Sequence, residues 1–144
     1  MRIATKDAGL IGLIALSVAL NSCALRASRL GIPPEVEGIV ASIGEDANEG
    51  RYEKIHSEAD EEWRSAATLE KTMTVFNTVR DKLGKVKSRQ LHTAEETTAS
   101  GRHSFVLTYE TKFERGEGME TFTLVERSGR WLLAGYFVNS TALQ

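Results

Sequence analysis

Residues 101–139 read GRHSFVLTYETKFERGEGMETFTLVERSGRWLLAGYFVN, and the fold turns on this stretch. Three alternating runs cover 103–114, 118–126 and 130–138. Between them stand Arg115-Gly116-Glu117-Gly118 and Arg127-Ser128-Gly129-Arg130, both glycine-containing hairpin signals. A side-chain period of two lets the register be tested against itself. A two-residue loop at Ser128-Gly129 sets Arg127 opposite Arg130, Leu124 opposite Leu133, Phe122 opposite Gly135 and Glu120 opposite Phe137. A loop at Gly116-Glu117 sets Tyr109 opposite Leu124 and Thr111 opposite Phe122. Directly opposed residues share a face. Both turns then gather Leu107, Tyr109, Phe113, Phe122, Leu124, Trp131, Leu133 and Phe137 on one side.

The opposite side carries Val106, Thr108, Glu110, Lys112, Thr121, Thr123 and Val125. On the last strand it carries Leu132, Ala134, Tyr136 and Val138, an apolar strip that predicts a contact surface. Gly135 inside a strand predicts a bend or bulge, hence a curved sheet.

Upstream of the meander the pattern is helical. Pro33-Pro34 favours a helix start, and Val36, Ile39, Val40 and Ile43 then recur at helical spacing up to Asn48-Glu49-Gly50. Residues 51–59 predict a short second helix with Tyr52, Ile55 and His56 facing in. Glu58 to Arg64 shows no clear pattern around Trp63. Thr68 is a suitable cap for a longer helix with Leu69, Met73, Phe76, Val79 and Leu83 on one stripe, closed by Gly84. Lys85 to Glu96 reads as a first strand, with Lys85, Lys87 and Arg89 suiting an exposed edge. Helices followed by four antiparallel strands define an α+β fold, with the helices on one face of a curved sheet.

The chain has 144 residues, a formal net charge of −2, 26% charged and 41% hydrophobic residues. That is one ordinary domain, with no basic excess to attract nucleic acid. A single cysteine excludes an intrachain disulfide.

Arg2 and Lys6 precede an uncharged apolar run from Ala8 to Leu20. That run is too short to span a bilayer and has the length of a signal-peptide core. Leu20-Asn21-Ser22-Cys23 resembles the lipobox of bacterial lipoproteins. The resemblance implies a signal peptide over 1–22, cleavage before Cys23, acylation of its thiol, a short tether over 23–33 and a folded domain over 34–144. Several acyl chains anchor stably where one does not. The implied address is the cell envelope. Ala24 after the cysteine, where some such lipoproteins carry an inner-membrane Asp signal, points to an outer-membrane anchor facing the periplasm.

Three histidines, His56, His92 and His103, show no metal-ligand spacing, and there is no phosphate loop or nucleophile elbow. No catalytic residue, cofactor or metal is expected. Glu120 and Glu126 share the inward parity but fall at strand ends, where they are expected to reach solvent. His56, Tyr109 and Trp131 are the candidate pocket-lining residues. Leu132, Tyr136 and Val138 are the candidate interface.

The element order resembles the nuclear-transport-factor-2-like, or cystatin-like, superfamily, a cone of helices closed by a curved sheet. Residues 83–89, 109–113, Glu120 with Phe122, and the ending Gly129-Arg130-Trp131 to Gly135-Tyr136 resemble an uncharacterised bacterial lipoprotein family of unknown function. That resemblance implies the fold and no activity. The leading expectation is a non-catalytic envelope lipoprotein, held to the membrane by its N-terminal acyl chains, that binds a ligand or partner, the expected partner being a second copy or another envelope protein. The alternatives are an isomerase or dehydratase using the cone, as in some superfamily members, and a structural dimerisation module.

The lipobox sets the first test. Cys23→Ser is expected to abolish acyl labelling and leave the precursor uncleaved by the lipoprotein pathway, read by metabolic palmitate labelling and intact mass. Normal labelling in the variant would remove the assignment.

Overall fold

The computed structural model describes residues 31–144. The signal-peptide and lipobox residues, Cys23 included, lie outside the described residues. Helix α1 spans Pro34–Asn48, with proline in its first turn beside Glu35 and Glu37, whose charges suit a helix N-terminus. It buries Val36, Val40 and Ile43, and Ile32 just ahead of it is buried too. Helix α2 spans Tyr52–Glu58 and buries Tyr52 and Ile55.

The patternless stretch around Trp63 holds a further short helix, α3, Glu61–Ala66. Asp60 builds it. Its carboxylate accepts the Glu62 N–H at 3.0 Å, and its own N–H donates to the Leu133 carbonyl at 2.8 Å. Helix α4, Leu69–Leu83, begins at Thr68, whose hydroxyl accepts the Lys71 N–H. It ends at Gly84, where φ is 82°, a left-handed value that glycine tolerates. Its expected stripe holds at Phe76 and Leu83 but not at Leu69 and Met73, which are exposed. Thr72 turns inward instead, because its hydroxyl accepts the buried Trp63 indole N–H at 3.1 Å.

Strands β1 (Val86–Ala99), β2 (Arg102–Phe113), β3 (Gly116–Arg127) and β4 (Arg130–Asn139) pair antiparallel in sequence order. The fold is α+β, four helices followed by a curved four-stranded sheet. Ser100-Gly101 and Ser128-Gly129 have both central residues at positive φ, the hairpin geometry whose twist matches the strands. The middle turn is Glu114-Arg115, with Phe113 opposite Gly116, rather than Gly116-Glu117. Every β2–β3 partner therefore differs from the sequence reading: Leu107 meets Phe122, and Tyr109 meets Glu120. The offset is even, so parity survives and the expected inward face is kept across those two strands.

On β4 parity does not survive. Leu124 faces Leu133 as expected, but Thr123 then faces Gly135, leaving Ala134 as an extra residue. Beyond this bulge Phe122 meets Tyr136 and Glu120 meets Val138. Tyr136 and Val138 therefore belong to the inward face, not to the outer contact strip. Phe137, expected inside, is 65% exposed. Val125, on the opposite face, is fully buried as well. Two further bulges at Lys87 and His92 break the β1 ladder.

The inward face and the helices share one core: Phe105, Leu107, Tyr109, Phe122, Leu124 and Leu133 pack with Val36, Val40, Ile55, Trp63 and Phe76. Phe76 is sandwiched, 5.7 Å from the Tyr52 ring and 4.7 Å from the Tyr136 ring. Phe76→Ala is expected to destabilise the protein by about 3–5 kcal/mol, the range for a buried aromatic truncation. Chemical denaturation measures it, and a loss below about 1 kcal/mol would show that the ring does not fill the core.

Candidate functional site

The inward face has a polar centre. Glu120 on β3 is 1% exposed, although its placement near a strand end had suggested solvent. The middle turn lies two residues earlier than expected, so Glu120 is the fifth residue of its strand. Each carboxylate oxygen accepts two hydrogen bonds. Oε2 takes Arg89 Nε at 2.6 Å and the Thr111 hydroxyl at 2.7 Å. Oε1 takes Arg89 Nη2 at 3.1 Å and the Tyr136 hydroxyl at 2.7 Å. Arg89, read as an exposed edge residue, thus sends its guanidinium inward, over the Phe122 ring at 5.4 Å. Gly44 on α1 makes room for it, since a Cβ there would collide with the guanidinium. Burial pushes the Tyr136 phenol well above its ordinary pKa, and the neighbouring Glu120 charge adds to the effect. The void beside this cluster measures about 20 Å³, room for a single water and no ligand.

Two other buried acids tie helices in place. Asp60 accepts Arg127 Nε at 2.9 Å, and Asp46 accepts Arg51 Nε and Lys54 Nζ, each at 2.7 Å. The Arg127 hydrogen bond holds Asp60 below the usual carboxylate range against the opposing effect of burial. At Asp46 burial is the largest single influence and raises the pKa, but the bonds from Lys54 and Arg51 together outweigh it and the net shift is downward. Both aspartates are therefore held as anions.

Each end of β3 borders open space. At the β3–β4 turn a cleft of about 320 Å³ runs between α1, the end of α2 and the hairpin. Ile39, Ile43, Ile55, Trp131 and Leu133 supply apolar wall, with Glu35, Glu58 and Arg130 also lining it. This is the lower end of the size range of small-molecule pockets. At the opposite end a polar depression of about 1080 Å³ is lined by residues including Glu37, Arg89, Tyr109 and Asn139. Burial, with a smaller contribution from Glu37, pushes the Tyr109 phenol up to about 12, so it stays protonated.

The three candidate pocket residues are not brought together. Trp131 lines the cleft and Tyr109 the distant depression. His56 is held by the chain itself, its Nε2 3.0 Å from the Ala67 carbonyl. Of the candidate interface residues, Leu132 lines the cleft while Tyr136 bonds Glu120. Sequence reasoning missed the Arg89–Glu120 pair. The available signal was parity, since Glu120 alternates inward with Phe122 and Leu124. Among the described residues no group of three or more His, Cys, Asp or Glu is disposed to hold a metal ion, and no helix is long and apolar enough to cross a membrane.

The chain belongs to the protein family of unknown function DUF4019, whose model matches residues 42–136. That span takes in α1 from Ser42 through β4 as far as Tyr136. Among solved structures the chain is similar to a function-unknown protein from Mycobacterium tuberculosis, at 15% identity over 76% of each chain, with a TM-score of 0.28. No curated protein matches the sequence.

The buried pair generates a prediction. Glu120→Gln leaves the Arg89 charge without its counter-ion and is expected to cost about 3–5 kcal/mol, as breaking a buried pair does. Replacing both, with Arg89→Met and Glu120→Leu, is expected to recover most of that loss. Urea denaturation of the single and double variants measures it. A single variant of parental stability would show the pair to be dispensable.

Proposed function

We propose that this chain is a lipid-anchored envelope protein whose folded domain, a nuclear-transport-factor-2-like cone, is a non-catalytic binding module. Its working surface is the apolar cleft between α1 and the β3–β4 hairpin. One observation carries this reading: the acid at the heart of the inward face is saturated by four hydrogen bonds beside a void too small for a ligand, while the cleft is open. An isomerase or dehydratase needs an acid or base within reach of a substrate. Glu120 has no free lone-pair direction to offer, and Tyr109 keeps its proton. A cleft with apolar walls and a few polar groups is the common form of a small-ligand or side-chain-docking site.

The anchor rests on the lipobox around Cys23 and sets where such a module would work, at the membrane surface of the envelope. A second reading, self-association, draws on Phe137, which projects from the outer side of β4 at 65% exposure. It is distinguished by sedimentation of the parent beside Phe137→Ser.

The cleft is tested with water-soluble aromatic fragments, followed by saturation-transfer NMR. Fragments that contact the protein are expected to lose about ten-fold in affinity when Ile39→Glu places a charge on the apolar wall, because a carboxylate there keeps its water and excludes an apolar ligand. Fragments that bind the variant as well as the parent would remove the cleft from the reading.

A further inference from the structure

At the end of the sheet that carries the cleft, one histidine is gripped from both sides. His103 on β2 presents Nε2 to Glu96 Oε1 of β1 at 2.7 Å and Nδ1 to Glu126 Oε2 of β3 at 2.9 Å. β4 contributes Trp131, whose ring meets the imidazole edge-on at 4.9 Å between centroids. Phe105, two residues along β2, packs on the same indole at 5.3 Å. The neighbouring Arg102 turns away to the Glu62 carboxylate of α3. The charged groups bonded to the ring are thus two carboxylates and no cation.

A neutral imidazole has one N–H donor and one lone pair. It can satisfy one of these carboxylates, and then aims its lone pair at the other. Only the imidazolium donates to both. The bond to Glu126, then that to Glu96, raises the His103 pKa above its ordinary value. The sign follows from that direction. The double grip is complete below the ordinary histidine pKa and is lost as pH rises through the higher folded value.

We propose that His103 is a protonation-controlled latch that sets the position of Trp131, and with it the wall of the apolar cleft. The proposal rests on the cleft reading for its biological use, but not for its test. While His103 is charged, three strands are pinned around the indole, and Trp131 stands in the cleft wall against Phe105. When His103 loses its proton, one carboxylate is released, the imidazole swings toward the other, and the edge-on contact with Trp131 goes. A binding module with this device would hold its ligand in mildly acidic surroundings and loosen it in alkaline ones.

The experiment reads Trp131 itself, in the mature acylated protein reconstituted in nanodiscs, with Trp63→Phe removing the other indole. Acrylamide, which stays in water, quenches the remaining fluorescence. The quenching constant is expected to rise about two- to five-fold between about pH 5.5 and about pH 9, the factor that an exposed ion contact confers. Its midpoint should follow the His103 ring resonances in an NMR titration. His103→Arg, charged throughout, is expected to hold the low value at every pH, and His103→Gln the high one, with thermal melts verifying that both fold. A flat quenching profile in the parent while His103 titrates would overturn the latch, as would a pH dependence that persists in His103→Gln. Failure of fragments to bind the cleft, with quenching still tied to His103, would overturn the cleft reading and leave the latch standing.

Discussion

One carboxylate is bonded to every other strand of the sheet. Glu120 of β3 accepts from Arg89 of β1, Thr111 of β2 and Tyr136 of β4. An ion removed from water is costly unless its charge and its lone pairs are all answered. Here all are, and the requirement propagates outward. Arg89 needs the missing side chain of Gly44, which sets how closely α1 can lie on the sheet. Tyr136 stacks on Phe76 and so on Tyr52, which seats α4 and α2. Helix positions and strand register are thus coupled through a single polar centre. Such an arrangement specifies one packing more sharply than apolar contact alone, since a shifted register strands a charge.

The same centre explains where open space is left. Between the helices and the sheet, the volume around Glu120 is filled by its ion pair with Arg89 and by aromatic rings. Accessible cavities lie around it, among them those at the two ends of β3. At the cleft end, Asp60 joins α3 to β3 through Arg127 and to β4 through its own N–H. Asp46 anchors Arg51 and Lys54 across the α1–α2 junction. The cleft is therefore bounded by elements tied by ion pairs, which favours a preformed surface over one assembled on binding.

Much of this architecture was legible in the residue pattern, and the exceptions have physical causes. Pro34, Thr68 and Gly84 mark helix ends because their backbone or hydroxyl chemistry acts locally, and each stands where it was expected. The inward face across β2 and β3 was recovered despite a misplaced turn, since an even offset preserves parity. Trp63 to Thr72 is a tertiary hydrogen bond, invisible to a stripe of apolar residues, so the facing of α4 was read one residue off at Met73. Arg89 looked like a solvated edge charge, and only its distant partner in sequence, Glu120, turns it inward. Gly135 did announce an irregularity, but no local signal says on which side of a glycine the extra residue falls.

The extra residue at Ala134 has a consequence for reading related chains. It makes the final strand a frame change, in which odd and even positions trade roles halfway along. Column-by-column comparison of aromatic residues there is then misleading unless strand length is counted first. A relative with the same strand length but no bulge would present the second ring, not the first, to the carboxylate at the position of Glu120. Only a tyrosine can donate from that position, so insertion and aromatic identity are expected to change together in evolution, as a single inherited unit.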